Sequence, residues 1–143
     1  MSTDYELVHT ITDFYDGPRS GVADFQNKPC FYQCVFDESA DDWSAKFQIS
    51  PIDSETFQLA LEDWAIWRRW EKAYYAGQTT LKTHPALPED RQRFEELRPI
   101  LTGKLKIDPN DYALAYADFR RRPGTEAKPV VEVKWTVIRS SGS

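Results

Sequence analysis

The chain has 143 residues, with 23 acidic against 18 basic side chains for a net charge of −5, and 41% of its residues are hydrophobic. That length suits one domain with one substantial core, and the 14% aromatic share predicts that Phe, Tyr and Trp fill it. The acidic balance argues against nucleic acid, no apolar run reaches the roughly 20 residues of a membrane span, and the start MSTDYELVHT has no signal-peptide pattern, so a cytoplasmic location with no membrane partner is expected.

Residues 5–15, YELVHTITDFY, are rich in β-branched and aromatic types and predict a first strand with Tyr5, Leu7, Ile11 and Tyr15 on one face. DGPRSG turns the chain, and GVADFQ returns as the second strand of a hairpin. After Asn27-Lys28-Pro29, CFYQCVFD is apolar on both faces and reads as a central strand. The acidic link DESADD is expected as a solvated turn. WSAKFQIS then alternates cleanly, with Trp43, Ala45, Phe47 and Ile49 inward.

A helix follows, capped from Ser50-Pro51 or from Asp53-Ser54. Between Phe57 and Ala76 its apolar positions form two stripes. One holds Phe57, Ala60, Leu61, Trp64 and Trp67; the other holds Leu59, Ile66, Trp70 and Ala73. Such a helix is expected to lie between the sheet and a second helix or partner. Gly77 ends it, and a loop with two prolines leads to a second helix starting near Pro88, kinked or shortened at Pro99 and stopped at Gly103. YALAYADFR and VVEVKWTVI close the chain as two further strands, the last with Val131, Val133, Trp135 and Val137 on one side, followed by a disordered tail at 140–143. The order ββββ-αα-ββ predicts a single α+β domain over 1–139: about six mostly antiparallel strands in a strongly twisted sheet or partly open barrel, covered by two helices.

Cys30 and Cys34 stand four apart on one strand, roughly 13 Å between Cα atoms, which is too far for a disulfide. Reduced thiols are expected. The sequence has no phosphate-binding glycine loop, CxxC, HExxH or GxSxG, so it announces no reaction, and neither a cofactor nor a metal is expected. With only His9 and His84 present, a histidine-based zinc site has few ligands to draw on.

Two polar clusters remain as candidate binding sites. In YDGPRSGVAD, Asp16 and Arg19 sit at a hairpin tip with Asp13 and Asp24 on the flanking strands; the structural role is a capped turn, and the functional one is an arginine fork anchoring a carboxylate or phosphate. In LEDWAIWRRWEKAYY, Glu62, Trp67, Arg69, Trp70 and Tyr74 lie on the helix; the structural role is core, and the functional one is an aromatic-arginine contact surface. Asp13 with Asp24 across the hairpin, or Glu62 with Asp63, is the nearest the chain comes to an acid/base pair.

The stretches DFYDGPRSGVADFQNKPCFYQCVFDE, FQLALEDWAIWRRWEKAYYAG and HPALPEDR resemble a family of small, uncharacterised bacterial proteins with a YDGPRSGVADF hairpin and a tryptophan-rich helix. The resemblance implies a bacterial, cytoplasmic protein and carries no activity with it. The chain departs from it at Cys30, where a histidine is commoner, so no histidine-dependent role transfers there. The expected function is a non-catalytic binding module that recognises another protein through the second face of the tryptophan helix and the Arg19 hairpin tip. The alternative is a small-molecule binding protein or small enzyme with a pocket between sheet and helices, lined by Tyr15, Trp64 and Trp67. A nucleic-acid surface built on Arg68-Arg69 and Arg120-Arg121-Arg122 ranks third.

Overall fold

The computed structural model describes residues 4–125 and 130–140, so the tail expected at 140–143 lies outside them apart from the backbone of Ser140. The chain groups into two compact units, Met1–Ile52 with Lys106–Ser143, and Asp53–Leu105.

The first unit is a closed barrel of six antiparallel strands: β1 (Tyr5–Phe14), β2 (Pro18–Phe25), β3 (Lys28–Asp37), β4 (Asp42–Pro51), β5 (Ala113–Arg121) and β6 (Val131–Ser140). Each strand pairs with its neighbour in chain order. A short ladder, Tyr5↔Lys134, Glu6↔Val133 and Leu7↔Glu132, closes the ring and removes both sheet edges. A six-stranded barrel has little interior, so small and large side chains alternate inside it. Ala23, Cys30, Cys34 and Ala115 make room for Tyr32, whose ring lies 5.8–6.1 Å from those of Phe47, Phe119 and Trp135. The inward residues expected for β4 and β6 take their places, except that Ala45 and Val137 are exposed.

The inner face of β1 differs from strict alternation. Val8 is in the core and Ile11 packs against it, whereas Tyr15 lies beyond the strand and is 67% exposed. The cause is irregular register between Val8 and Thr10 and again between Ile11 and Asp13. A bulge adds a residue and reverses the parity of everything after it. The hydroxyl of Thr10 satisfies the bulge by accepting from Val22 N at 2.9 Å. Gln26 and Asn27, both at positive φ, make the tight β2–β3 turn, and the Glu6 carboxylate accepts from both of their N–H groups.

The second unit holds α1 (Ser54–Tyr75) and α2 (Arg91–Lys104). Of the two starts allowed for α1, Asp53 is the cap, its Oδ1 accepting from Thr56 N at 2.7 Å. Ser50 is unavailable because it belongs to β4, where its buried hydroxyl bridges Asp108 N and Asp111 O. Ion pairs lace the helices together in antiparallel register: Glu55 with Lys104, Glu62 with Arg93, Asp63 with Arg98, and Arg69 with Asp90 just ahead of α2. A single-turn 3₁₀ segment, Pro88–Asp90, precedes α2, which begins three residues later than Pro88. It then runs through Pro99 and Gly103 instead of stopping there. Pro99 has no N–H to give Glu95, a loss that an exposed position on a helix anchored by Leu97 and Leu101 tolerates.

Candidate functional site

The tryptophan helix is the first place to look for a contact surface. Trp70 stacks on Trp67 (5.3 Å between centroids, 17°) and on Tyr74 (5.0 Å, 13°). The His84 ring meets both tryptophans edge-on, and the Trp70 indole N–H donates to Thr83 Oγ1 at 2.9 Å. Arg91 holds the loop in place by donating to the carbonyls of Thr83 and Ala86. Trp70, a candidate for the contact surface, is therefore only 3% exposed, covered by Thr83 and His84 of its own chain. Trp67 and Tyr74 are half-buried.

The polar partners expected on that helix are engaged as well. Arg69 donates from Nε and Nη2 to both Asp90 oxygens at 2.9 Å, a bidentate fork whose hydrogen bonds raise the arginine's pKa. Glu62 takes the same kind of fork from Arg93, at 2.6 and 2.8 Å, and those bonds hold its carboxyl below the usual carboxylate range. Glu62 and Asp63 thus serve separate arginines and form no acid/base pair. An open depression of about 560 Å³ on α1 is lined by Arg68, Arg69, Glu71, Lys72 and Tyr75, but Arg68 is tied to Glu71 and Arg69 to Asp90.

In the barrel, the expected cluster of Asp13, Asp16, Arg19 and Asp24 separates. Asp13 stands opposite Ser20 and accepts from its hydroxyl at 3.0 Å. Asp24 lies at the other end of β2, 2.8 Å from His9 Nε2, with its carbonyl accepting from the Trp135 indole at 2.9 Å. The hydrogen-bonding register, not sequence proximity, decides this: Asp24 pairs with Pro29 beside the next turn. Asp13 and Asp24 are therefore not a carboxylate pair.

Asp16 and Arg19 do remain together at the β1–β2 tip. Asp16 and Gly17 both have positive φ, and Arg19 folds back so that Nε donates to Tyr15 O at 2.7 Å and Nη2 to Asp16 O. Its guanidinium reaches across β3, within 3.6 Å of Cys34 Sγ and 5.5 Å above the Trp43 ring. Phe36 stands edge-on to Trp43 at 5.2 Å, and the two are register partners beside the β3–β4 turn. β2 and β3 are antiparallel and pair from Phe25↔Lys28 to Ser20↔Gln33, so the β1–β2 and β3–β4 turns lie at the same end of the barrel.

These two tips expose three aromatic side chains: Phe14 at 70%, Tyr15 at 67% and Phe36 at 44%. The same two tips carry the carboxylates of Asp13, Asp16, Asp37, Glu38, Asp41 and Asp42. Sequence reasoning singled out Asp16 and Arg19 but missed Phe14 and Phe36. A strand full of aromatics reads as core, and only the strand ends and bulges leave these rings outside. No local pattern marks the register irregularities between Val8 and Phe14 that decide this.

The two thiols are poorly placed to act as nucleophiles. Both cysteines are free and buried; burial pushes the Cys30 thiol up to about 12 and also raises Cys34, against the opposing pull of Arg19. Among the described residues no group of three or more His, Cys, Asp or Glu side chains converges as metal ligands do. No described helix is long and apolar enough to cross a membrane. No family model, curated protein or solved structure matches the chain.

Proposed function

We propose that this chain is a non-catalytic binding module that recognises another protein through the paired β1–β2 and β3–β4 tips of its barrel. The observation that carries it is the exposure of Phe14, Tyr15 and Phe36 at strand ends that lie at the same end of the barrel. Exposed aromatic side chains mark interaction surfaces, and Tyr is enriched at interface hot spots. Arg19 acts as a fastener of the two tips, committing three of its five N–H donors to Tyr15 O, Asp16 O and Cys34. The second face of the tryptophan helix drops out of the reading, since Trp70 is sealed and Arg69 paired. A bacterial cytoplasmic setting goes with the proposal, supported by the free thiols and the family resemblance.

The test is site-specific photocrosslinking in lysate, with benzoylphenylalanine in place of Tyr15 and, as control, of Tyr75, which is 80% exposed on α1. The expected result is a discrete heavier adduct from position 15 and none of the same mass from position 75. Equal labelling from both positions, or none from position 15, overturns the proposal.

A further inference from the structure

We infer that the partner of the barrel tips presents arginine or lysine side chains among aliphatic ones, so that its cations lie on the exposed rings and between the surrounding carboxylates. This rests on the proposal that the tips are the contact surface, and adds the chemistry of what they contact.

Charge is the first support. Residues 13–16 and 36–43 contain six carboxylates and no cation; of the flanking cations, Arg19 is held inward by Tyr15 O, Asp16 O and the Trp43 face, and Lys46 on β4 lies within electrostatic reach of Asp37. On the β5–β6 hairpin, Arg120 and Arg122 are both bound to Glu132. An aromatic surface rimmed by one sign of charge selects a partner of the opposite sign and speeds its approach.

The second support is that this same surface already holds a cation on an aromatic face: the Arg19 guanidinium sits 5.5 Å above Trp43. Rings attract cations through their negative faces, most strongly where water is displaced. Phe14 and Tyr15 are open to solvent and so offer the same interaction to an incoming side chain. The charge also argues against a second copy of this chain docking face to face, because that would press two sets of six like charges together.

The experiment measures fluorescence anisotropy of a short labelled alternating arginine–leucine peptide against the full chain, with an alternating glutamate–leucine peptide beside it, at low and at physiological salt. The arginine peptide is expected to bind, and to weaken severalfold with salt, while the glutamate peptide does not bind. The variant D16N/E38Q/D41N removes charge from side chains that hold no turn hydrogen bond, and Asn tolerates the positive φ of positions 16 and 41. It is expected to weaken the arginine peptide at least tenfold, whereas E89Q/E95Q/E96Q on the helical unit changes binding less than twofold. Equal loss in both variants means attraction to net charge alone and overturns the inference, as does no loss in the first or no binding of the arginine peptide. F14S/Y15S/F36S separates the two levels. Its failure to weaken a charge-dependent complex removes the tips as the contact surface, while aromatic-dependent binding of the glutamate peptide keeps the surface and refutes its preference for cations.

Discussion

Placing a methyl group on Gly21 should damage the barrel more than its size suggests. Gly21 lies in β2 between Ile11 of β1 and Tyr32 of β3, and an alanine Cβ there would sit 2.1 Å from Thr10 O, 2.9 Å from Thr10 C and 2.9 Å from the Tyr32 hydroxyl. Even a close carbon–oxygen contact needs about 3.3 Å, so β1 must retreat by roughly 1 Å. Tyr32 cannot follow, because it is fully buried among Phe47, Phe119 and Trp135. The retreat therefore breaks the bond its hydroxyl donates to Thr10 O at 3.2 Å. Overpacking costs about 1–3 kcal/mol and an orphaned buried hydroxyl about 1–3 kcal/mol more, so Gly21→Ala should lose about 2–6 kcal/mol, centred on ~4 kcal/mol. With a urea slope of about 2 kcal/mol/M, the midpoint should fall by about 2 M, followed by far-UV circular dichroism. In the double-mutant cycle, Tyr32→Phe should recover about 1 kcal/mol in the Gly21→Ala background and cost stability alone. A Gly21→Ala loss below about 1 kcal/mol would mean that the close approach of β1 to β2 is wrong.

Trp70→Ala should cost about 3–5 kcal/mol and Trp70→Phe about 1–2 kcal/mol, because only the first removes the stack as well as the bond to Thr83; equal effects in chemical denaturation would contradict the sealed loop. Pro99→Ala should stabilise α2 by about 1–2 kcal/mol, the restored hydrogen bond to Glu95 outweighing the proline's restriction of the unfolded chain, and a lower melting temperature would refute this. The Glu62 carboxyl is held below its unfolded value by Arg93, so the pair's contribution is complete above the ordinary glutamate pKa and is lost as pH falls through the depressed folded one. Glu62→Gln should therefore flatten the acid limb of a stability-versus-pH curve and leave its shape unchanged near neutrality; an unaltered acid limb would count against the pair.

Much of this architecture was legible in the residues alone. The element order follows from local periodicity: WSAKFQIS alternates, residues 57–76 repeat at helical spacing, and Asp53 is a capping residue at the foot of that helix. The thiols' inability to pair follows from strand geometry alone. What only the tertiary structure decided depends on groups far apart in the chain. Three register pairs between β1 and β6 turn a twisted sheet into a closed barrel, and no local pattern encodes them. Bulges in β1, settled by what β2 and the core accept, turn Val8 inward and leave Tyr15 outside. Trp70 is buried because Thr83, His84 and Arg91 converge on one loop, and Asp24 leaves the hairpin cluster because the ladder puts it beside His9. Composition and spacing decide what each segment becomes. Which aromatic rings face water depends on long-range packing, and that choice leaves Phe14, Tyr15 and Phe36 outside.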